Sequence, residues 1–266
     1  MEEPSKLAEL AREIAEEAGR MLVDGRPGNL GVERTKSSPT DVVTEMDTAA
    51  ERLIRDRIGA VRPDDGLLGE EGGGQPGTSG VTWVVDPIDG TVNYLYDLPA
   101  WSVSIGVEVD GVAVAGAVVA PRLGEVYTAW LGGGAWCNGK PISARPGTGL
   151  AGALVATGFG YQAQRRSRQG EIIAALLPRV RDIRRAGSAA LDLCSVACGR
   201  VDGYFERGTQ VWDRSAGGLI ASQAGAVVAG FRGAPASEAM TLAAPAATFG
   251  VLHDVLLELG ADRPGY

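Results

Sequence analysis

Two carboxylates three residues apart, Asp86 and Asp89, bracket a proline in the run Asp86-Pro-Ile-Asp-Gly-Thr91, directly after the apolar segment Thr82-Trp-Val-Val85. Pro87 fixes the local backbone, Gly90 lets the chain come close to a ligand, and Thr91 adds a hydroxyl. Three further segments put acidic residues beside a turn or at the end of an element: Asp41-Val-Val-Thr-Glu-Met-Asp47, Gly69-Glu-Glu-Gly72 and Trp212-Asp213. Alone, each has an ordinary explanation, because an Asp ahead of a helix is usually an N-cap and glutamates in a glycine loop are usually solvated. Together they offer oxygen donors only, which select hard cations such as Mg2+ or Mn2+. Two such ions bridged by a carboxylate can clamp the attacking water and the leaving oxygen of an in-line phosphoryl displacement. Backbone N–H groups around Gly90 and Thr91, at the start of a helix, would hold phosphate oxygens.

Composition narrows the alternatives. The 266 residues include one histidine, His253, which argues against imidazole zinc sites, Ser-His-Asp triads and Cys-His dyads. Cys137, Cys194 and Cys198 form an odd set without framework spacing, as expected in a reducing compartment. Cys194 and Cys198 read as small apolar residues of a core. A formal net charge of −8 disfavours nucleic acid as a partner, while bound cations would still admit an anionic substrate. The acidic start lacks a signal-peptide pattern, and the apolar run Val112 to Ala120 is too short to span a bilayer. A soluble, cytoplasmic protein with neither nucleic-acid nor membrane partner is expected.

The elements that must position these residues follow from periodicity. Leu7, Leu10, Ile14, Met21 and Leu22 predict a helix from about Lys6 to Leu22, and a second runs from Glu45 to Ile58, ended by Gly59 and Pro63. The stretch from Glu70 to Gly77 reads as a mobile loop, since glycine and proline sustain neither regular structure. Strands are expected at Thr82–Val85, at Val103–Val109 and Val112–Val119 joined by a type I′ turn at Asp110-Gly111, and at Glu125–Trp130. The second half alternates: strands at Ala153–Thr157, Val180–Arg184, Val201–Glu206 and Val227-Val228, with helices at Ala163–Leu177, Ser188–Cys198, Asp213–Gln223 and Ala246–Leu259. Hairpins first and alternation later predict an α/β architecture of mixed sheets covered by helices, with all 266 residues in one domain.

The segment Trp83-Val-Val-Asp-Pro-Ile-Asp-Gly-Thr-Val-Asn93, with Pro99 and Val103-Ser-Ile-Gly106 after it, resembles the first signature of the inositol monophosphatase family. Trp212-Asp-Arg-Ser-Ala-Gly-Gly-Leu-Ile-Ala-Ser-Gln-Ala-Gly225 resembles its second, and the Asp41–Asp47 and Gly69–Glu71 segments match its remaining metal-site segments in order. Val92, Tyr94, Gln223 and Ala226 depart from the commoner residues at their positions, none of them a proposed ligand. The resemblance implies a layered αβαβα sandwich, a homodimer, lithium sensitivity and a requirement for two or three Mg2+ ions, with Mn2+ able to substitute. It implies that Glu70, Asp86 and the Ile88 carbonyl hold one ion, that Asp86, Asp89 and Asp213 hold a second, and that a third lies near Glu70. Thr91 with Asp47 would activate water, the main chain of Gly90 and Thr91 would bind phosphate, and Asp89, Gly187, Ser188, Ala189, Glu206 and Asp213 would meet the alcohol. Arg185–Ala190 and Phe205–Arg207 match segments lining the family's sugar pocket.

The implied substrate is inositol 1-phosphate, with histidinol phosphate, fructose 1,6-bisphosphate or nucleotide 3′-phosphates as rivals on the same site. A rival of another class is a transcription-associated binding protein, for which the arginines at 165, 166, 168 and 179–185 would be the docking faces.

Overall fold

The computed structural model describes residues 3–263. Its first helix, α1 (Pro4–Asp24), buries Leu7, Ala8, Ala11, Ile14, Ala15, Ala18 and Leu22 along one stripe, the spacing of a helix laid on a sheet. A short arm of β1 (Arg34–Thr35) and β2 (Val42–Val43) leads into α2 (Glu45–Val61). Both helices cover one face of an eight-stranded mixed sheet. Its strands are β3 (Gly66–Gly69), β4 (Gly73–Gln75), β5 (Val81–Asp89), β6 (Ser102–Val109), β7 (Val112–Ala120), β8 (Glu125–Trp130), β9 (Ala135–Cys137) and β10 (Lys140–Ile142), ordered β10-β9-β8-β7-β6-β5-β3-β4. The five-residue helix α3 (Thr91–Leu95) follows β5.

The second half builds a five-stranded sheet from β11 (Leu154–Thr157), β12 (Asp182–Arg184), β13 (Gly203–Glu206), β14 (Val227–Ala229) and β15 (Thr241–Ala244), ordered β12-β11-β13-β15-β14. Helices α5 (Ala189–Ala197) and α6 (Val211–Gln223) lie between the two sheets. Helices α4 (Ala163–Leu176) and α7 (Ala246–Glu258) cover the outer face of the smaller sheet. Three buried cores join five layers, the middle core packing α5 and α6 against both sheets, and the αβαβα sandwich expected from the resemblance is the observed one.

The sequence reading and the structure part at several elements. The glycine-rich stretch expected to be a loop contributes β4, whose Gly73, Gly74 and Gln75 pair antiparallel with β3. As an edge strand it needs backbone partners on one side only, and glycine does not forbid that. Strand β5 continues past Val85 to Asp89, so Asp86 and Asp89 lie inside the ladder and not beyond it. Strands β12 and β13 start two residues later than their apolar runs. The turn at Asp110-Gly111 is as expected, with φ of 52° and 76°.

One contact sets the height of α6 above the large sheet. Gly106 and Gly116 are cross-strand partners on β6 and β7. A Cβ on Gly106 would lie 2.4 Å from Ser215 Oγ, and one on Gly116 would lie 3.1 Å from Ala216 Cα. Two bare backbones thus let α6 settle close to the sheet, bringing Asp213 near β5. Gly106→Ala is expected to destabilise the chain by about 2 kcal/mol through overpacking; urea unfolding checks this, and an unchanged midpoint would refute the close-approach argument.

Candidate active site

The carboxylates converge because β5 carries a bulge. Asp86 pairs with Ser104 and Asp89 with Ser102, so one extra residue stands on β5 between them. In a regular strand, side chains three apart point to opposite faces; the extra residue cancels that alternation. Asp86 Oδ1 accepts the Ile88 amide at 3.0 Å, which fixes the bulge from inside. Glu70, one residue past β3, and Asp213, in the first turn of α6, join Asp86 and Asp89 in one cleft of about 350 Å3.

Each carboxylate is held by its own element. Asp89 meets the start of α5, taking the Ser188 hydroxyl at 2.6 Å and the Ala190 and Ala189 amides at 2.7 and 3.2 Å. Asp213 accepts the Gln210 amide at 2.7 Å as the third-position carboxylate of a capping box on α6. Asp47 plays the same part on α2, where its Oδ2 accepts the Thr44 amide at 2.8 Å and hydroxyl at 2.6 Å. Its Oδ1 stands 3.1 Å from the Thr91 hydroxyl, which also lies 3.0 Å from the Ile88 carbonyl. Glu70 takes an ammonium bond from Lys36 at 2.7 Å, and Lys36 also reaches Glu71 at 2.5 Å.

Burial sets the electrostatics. It drives Asp86 well above the usual carboxylate range, with repulsion from Glu70, Asp89 and Asp213 added. Asp213 is likewise raised well above it by burial and by Asp89 and Glu70. Glu70 is raised by burial, partly offset by Lys36. Asp89 reaches about 6 against the pull of its three hydrogen bonds, and Asp47 about 7 against those from Thr44. Four carboxylates in one small volume cannot all ionise without positive charge between them. Their all-oxygen chemistry fits hard divalent cations. Among the described residues no three acidic, His or Cys side chains already form a closed cage; Mg2+ usually takes one or two carboxylates and completes its shell with water and substrate phosphate.

Glu206, Gly187 and Ala189 line the same cleft, Ala189 with its amide on Asp89. Glu206 ends β13, accepts the Tyr204 hydroxyl at 2.9 Å and is lifted to about 7 by burial. Of the residues singled out from sequence, Glu70, Asp86, Ile88, Asp89, Gly90, Thr91, Gly187, Ala189, Glu206 and Asp213 line the cleft. Asp47 and Ser188 stand one layer back, 1% exposed each, behind Thr91 and Asp89. Sequence reasoning missed Lys36 and Tyr204. The arm that brings Lys36 to Glu70 has no local signal, but Tyr204 could have been found, two residues before Glu206 and so on the same face of its strand.

Fold and site define a class, the phosphoric monoester hydrolases built on clustered carboxylates. Comparison with known proteins gives the family. The model of the inositol monophosphatase family matches residues 3–259. An inositol-1-monophosphatase of Mycobacterium bovis is 45% identical over 275 aligned positions, covering 97% of this chain and 94% of that protein. A protein of Pasteurella multocida named Nus factor SuhB is 40% identical over 226 positions, covering 84% of this chain and 85% of its own length. The solved structure of Mycobacterium tuberculosis SuhB superposes with a TM-score of 0.85 at 42% identity, covering 99% of this chain and all of that one (100%). The chain belongs to the inositol monophosphatase family.

No described helix is long and apolar enough to cross a membrane.

Proposed function

We propose that this chain is a Mg2+-dependent phosphatase that hydrolyses inositol 1-phosphate and other small phosphate monoesters. The observation that carries the reading is the clustering of Glu70, Asp86, Asp89 and Asp213 in one cleft that Thr91 and Glu206 also line. Glu70, Asp86 and the Ile88 carbonyl would hold one ion, and Asp86, Asp89 and Asp213 another. When bound, Mg2+ supplies charge neutralisation at the phosphoryl oxygens and lowers the pKa of water.

The chain's own groups do the rest. Amides of Gly90 and Thr91 orient the phosphate. The Thr91 hydroxyl accepts a hydrogen bond from the attacking water and passes a proton toward Asp47, whose burial raises its carboxyl above the usual range and so makes it a stronger base. Glu206 accepts hydroxyl hydrogens of the alcohol, held in place by Tyr204. The small residues Gly187 and Ala189 leave room for a polyol ring. The reading includes the family's homodimer, a cytoplasmic site of action and inhibition by Li+.

Phosphate release from myo-inositol 1-phosphate by the purified protein is expected to need Mg2+ and to fall by at least about 10³-fold on chelation, the loss of several kcal/mol of charge stabilisation. Mn2+ should restore it, and Li+ should inhibit it. Release that persists undiminished after chelation would sink the proposal.

A further inference from the structure

Helix α2 buries a carboxylate that the proposed reaction does not use. Glu51 is 2% exposed, and its oxygens face the turn between β3 and β4. Oε2 accepts the Glu71 amide at 2.7 Å, while Oε1 accepts the Gly72 amide at 2.7 Å and Arg55 Nε at 2.9 Å. Arg55, one helical turn further on, donates from Nη2 to the Gly73 carbonyl at 2.6 Å. The Glu70 amide is tied to the Val85 carbonyl of β5 at 3.2 Å. Each residue from Glu70 to Gly73 thus has a backbone group held in place, the last three from α2.

Burying a carboxylate costs several kcal/mol, roughly, unless hydrogen bonds and a countercharge compensate. An ion pair with Arg55 alone would form as well on the exposed face of the helix, four residues apart. Here the carboxylate lies under the turn instead, and missing side chains make the room. A Cβ on Gly69 would lie 2.5 Å from Glu51 Cδ, and one on Gly72 would lie 2.7 Å from its Oε1. Between these two glycines stand Glu71, whose amide is gripped, and Glu70, which lines the cleft with Asp86. With the main chain fixed on both sides, the Glu70 carboxylate keeps only its own side-chain rotations. A metal ligand held in this way loses less on meeting its ion.

We propose that Glu51 is a positioning residue for the ion that Glu70 would hold: by gripping the Glu71 and Gly72 amides it fixes the turn that aims Glu70 into the cleft. The inference rests on the metal-dependent reading and deepens it. Glu51 does not line the cleft and acts only through the turn.

Calorimetric titration of the purified chain with Mn2+ as sole ligand tests this without turnover. Glu51→Gln keeps the size and one acceptor oxygen but sets an NH2 group against the second amide. It is expected to weaken, by about tenfold, the same Mn2+ site that Glu70→Gln weakens. Gly69→Ala, which displaces the Glu51 carboxylate from the other side, should weaken it likewise. In the Glu70→Gln background, Glu51→Gln should change the affinity by less than about twofold, because its effect passes through a ligand already lost. A merely structural role would lower the melting temperature and leave the two losses to multiply. Multiplying losses overturn the inference, as does an unchanged Mn2+ affinity in Glu51→Gln. Should Glu51→Gln not fold, Gly69→Ala carries the same cycle. If the unmodified chain binds no Mn2+, the metal-dependent reading fails and the positioning role with it. Binding without the coupling removes the positioning role alone. Binding with the coupling, but no phosphate release from inositol 1-phosphate, upholds the positioning role and removes the phosphatase reading.

Discussion

Asp213→Asn is expected to lower kcat for phosphate release by on the order of 10³-fold while raising the melting temperature of the metal-free chain. The two effects have one cause. Asp213 shares its cleft with Glu70, Asp86 and Asp89, and burial plus their repulsion holds its carboxyl well above the usual range. Asparagine keeps the oxygen that accepts the Gln210 amide, so the start of α6 stays capped. What it removes is one charge from a crowded set and one anionic donor for a divalent ion. Without metal, each kcal/mol of repulsion relieved raises the melting temperature by about 2–4 °C in a chain of this size. With Mg2+ the ordering should reverse, since the variant gains less from the ion. A metal-free melting point lower than that of the parent would show that the carboxylates do not oppose folding.

The same repulsion fixes the sign of the pH dependence. Asp89 at about 6 and Asp47 at about 7 both titrate above the values of an unfolded chain. The folded state then holds more protons across that interval, so metal-free stability is greatest below roughly pH 4 as far as these two groups are concerned and falls as pH rises toward 7.

Thr91→Val should cost about 10²–10³-fold in kcat, whereas Thr91→Ser should retain most of it. Asp47 Oδ2 is occupied by the amide and hydroxyl of Thr44, which leaves Oδ1 facing Thr91. Among the described residues the Thr91 proton has acceptors only at Asp47 and the Ile88 carbonyl, so the hydroxyl lone pairs are left for water in the cleft. Valine has the same shape and no relay. Because Thr91 is only partly buried at the first position of a short helix, the change should leave stability nearly intact. Steady-state kinetics on both variants decides the matter: a valine variant within tenfold of the parent would mean that water is activated without Thr91.

How much of this was legible in the residues depends on range. Local signals served well. The leucine and isoleucine spacing marked α1, Asp110-Gly111 marked the β6–β7 hairpin, and Thr82-Trp-Val-Val85 marked the body of β5 without its continuation to Asp89. Strands β3, β9, β10 and β15 escaped because each is short and rich in Gly, Ala or polar residues, and is defined by the neighbour it pairs with. The bulge on β5 is likewise a property of two strands, and Asp86 and Asp89 alone do not disclose it. Within the site, residue types indicated the carboxylates. Contacts between residues far apart in sequence, such as Lys36 with Glu70 or Ser188 with Asp89, needed the folded chain. The arginine clusters, read as outward docking faces, are mostly tied to nearby acidic residues and carbonyls.

The capping boxes on α2 and α6 have a bearing on how this site can change over evolutionary time. Asp47 and Asp213 each close a helix start as well as facing the chemistry. Losing such a cap costs about 1 kcal/mol, a large share of a marginal fold. A descendant that abandoned hydrolysis for another role would therefore still be selected to keep a capping oxygen at both positions, which asparagine supplies as well as aspartate. A capping residue at either position in a relative is weak testimony that the relative is an enzyme. Thr91, which caps no helix, is freer to drift once catalysis is lost, and is the better residue to inspect when asking whether a given lineage has kept the reaction.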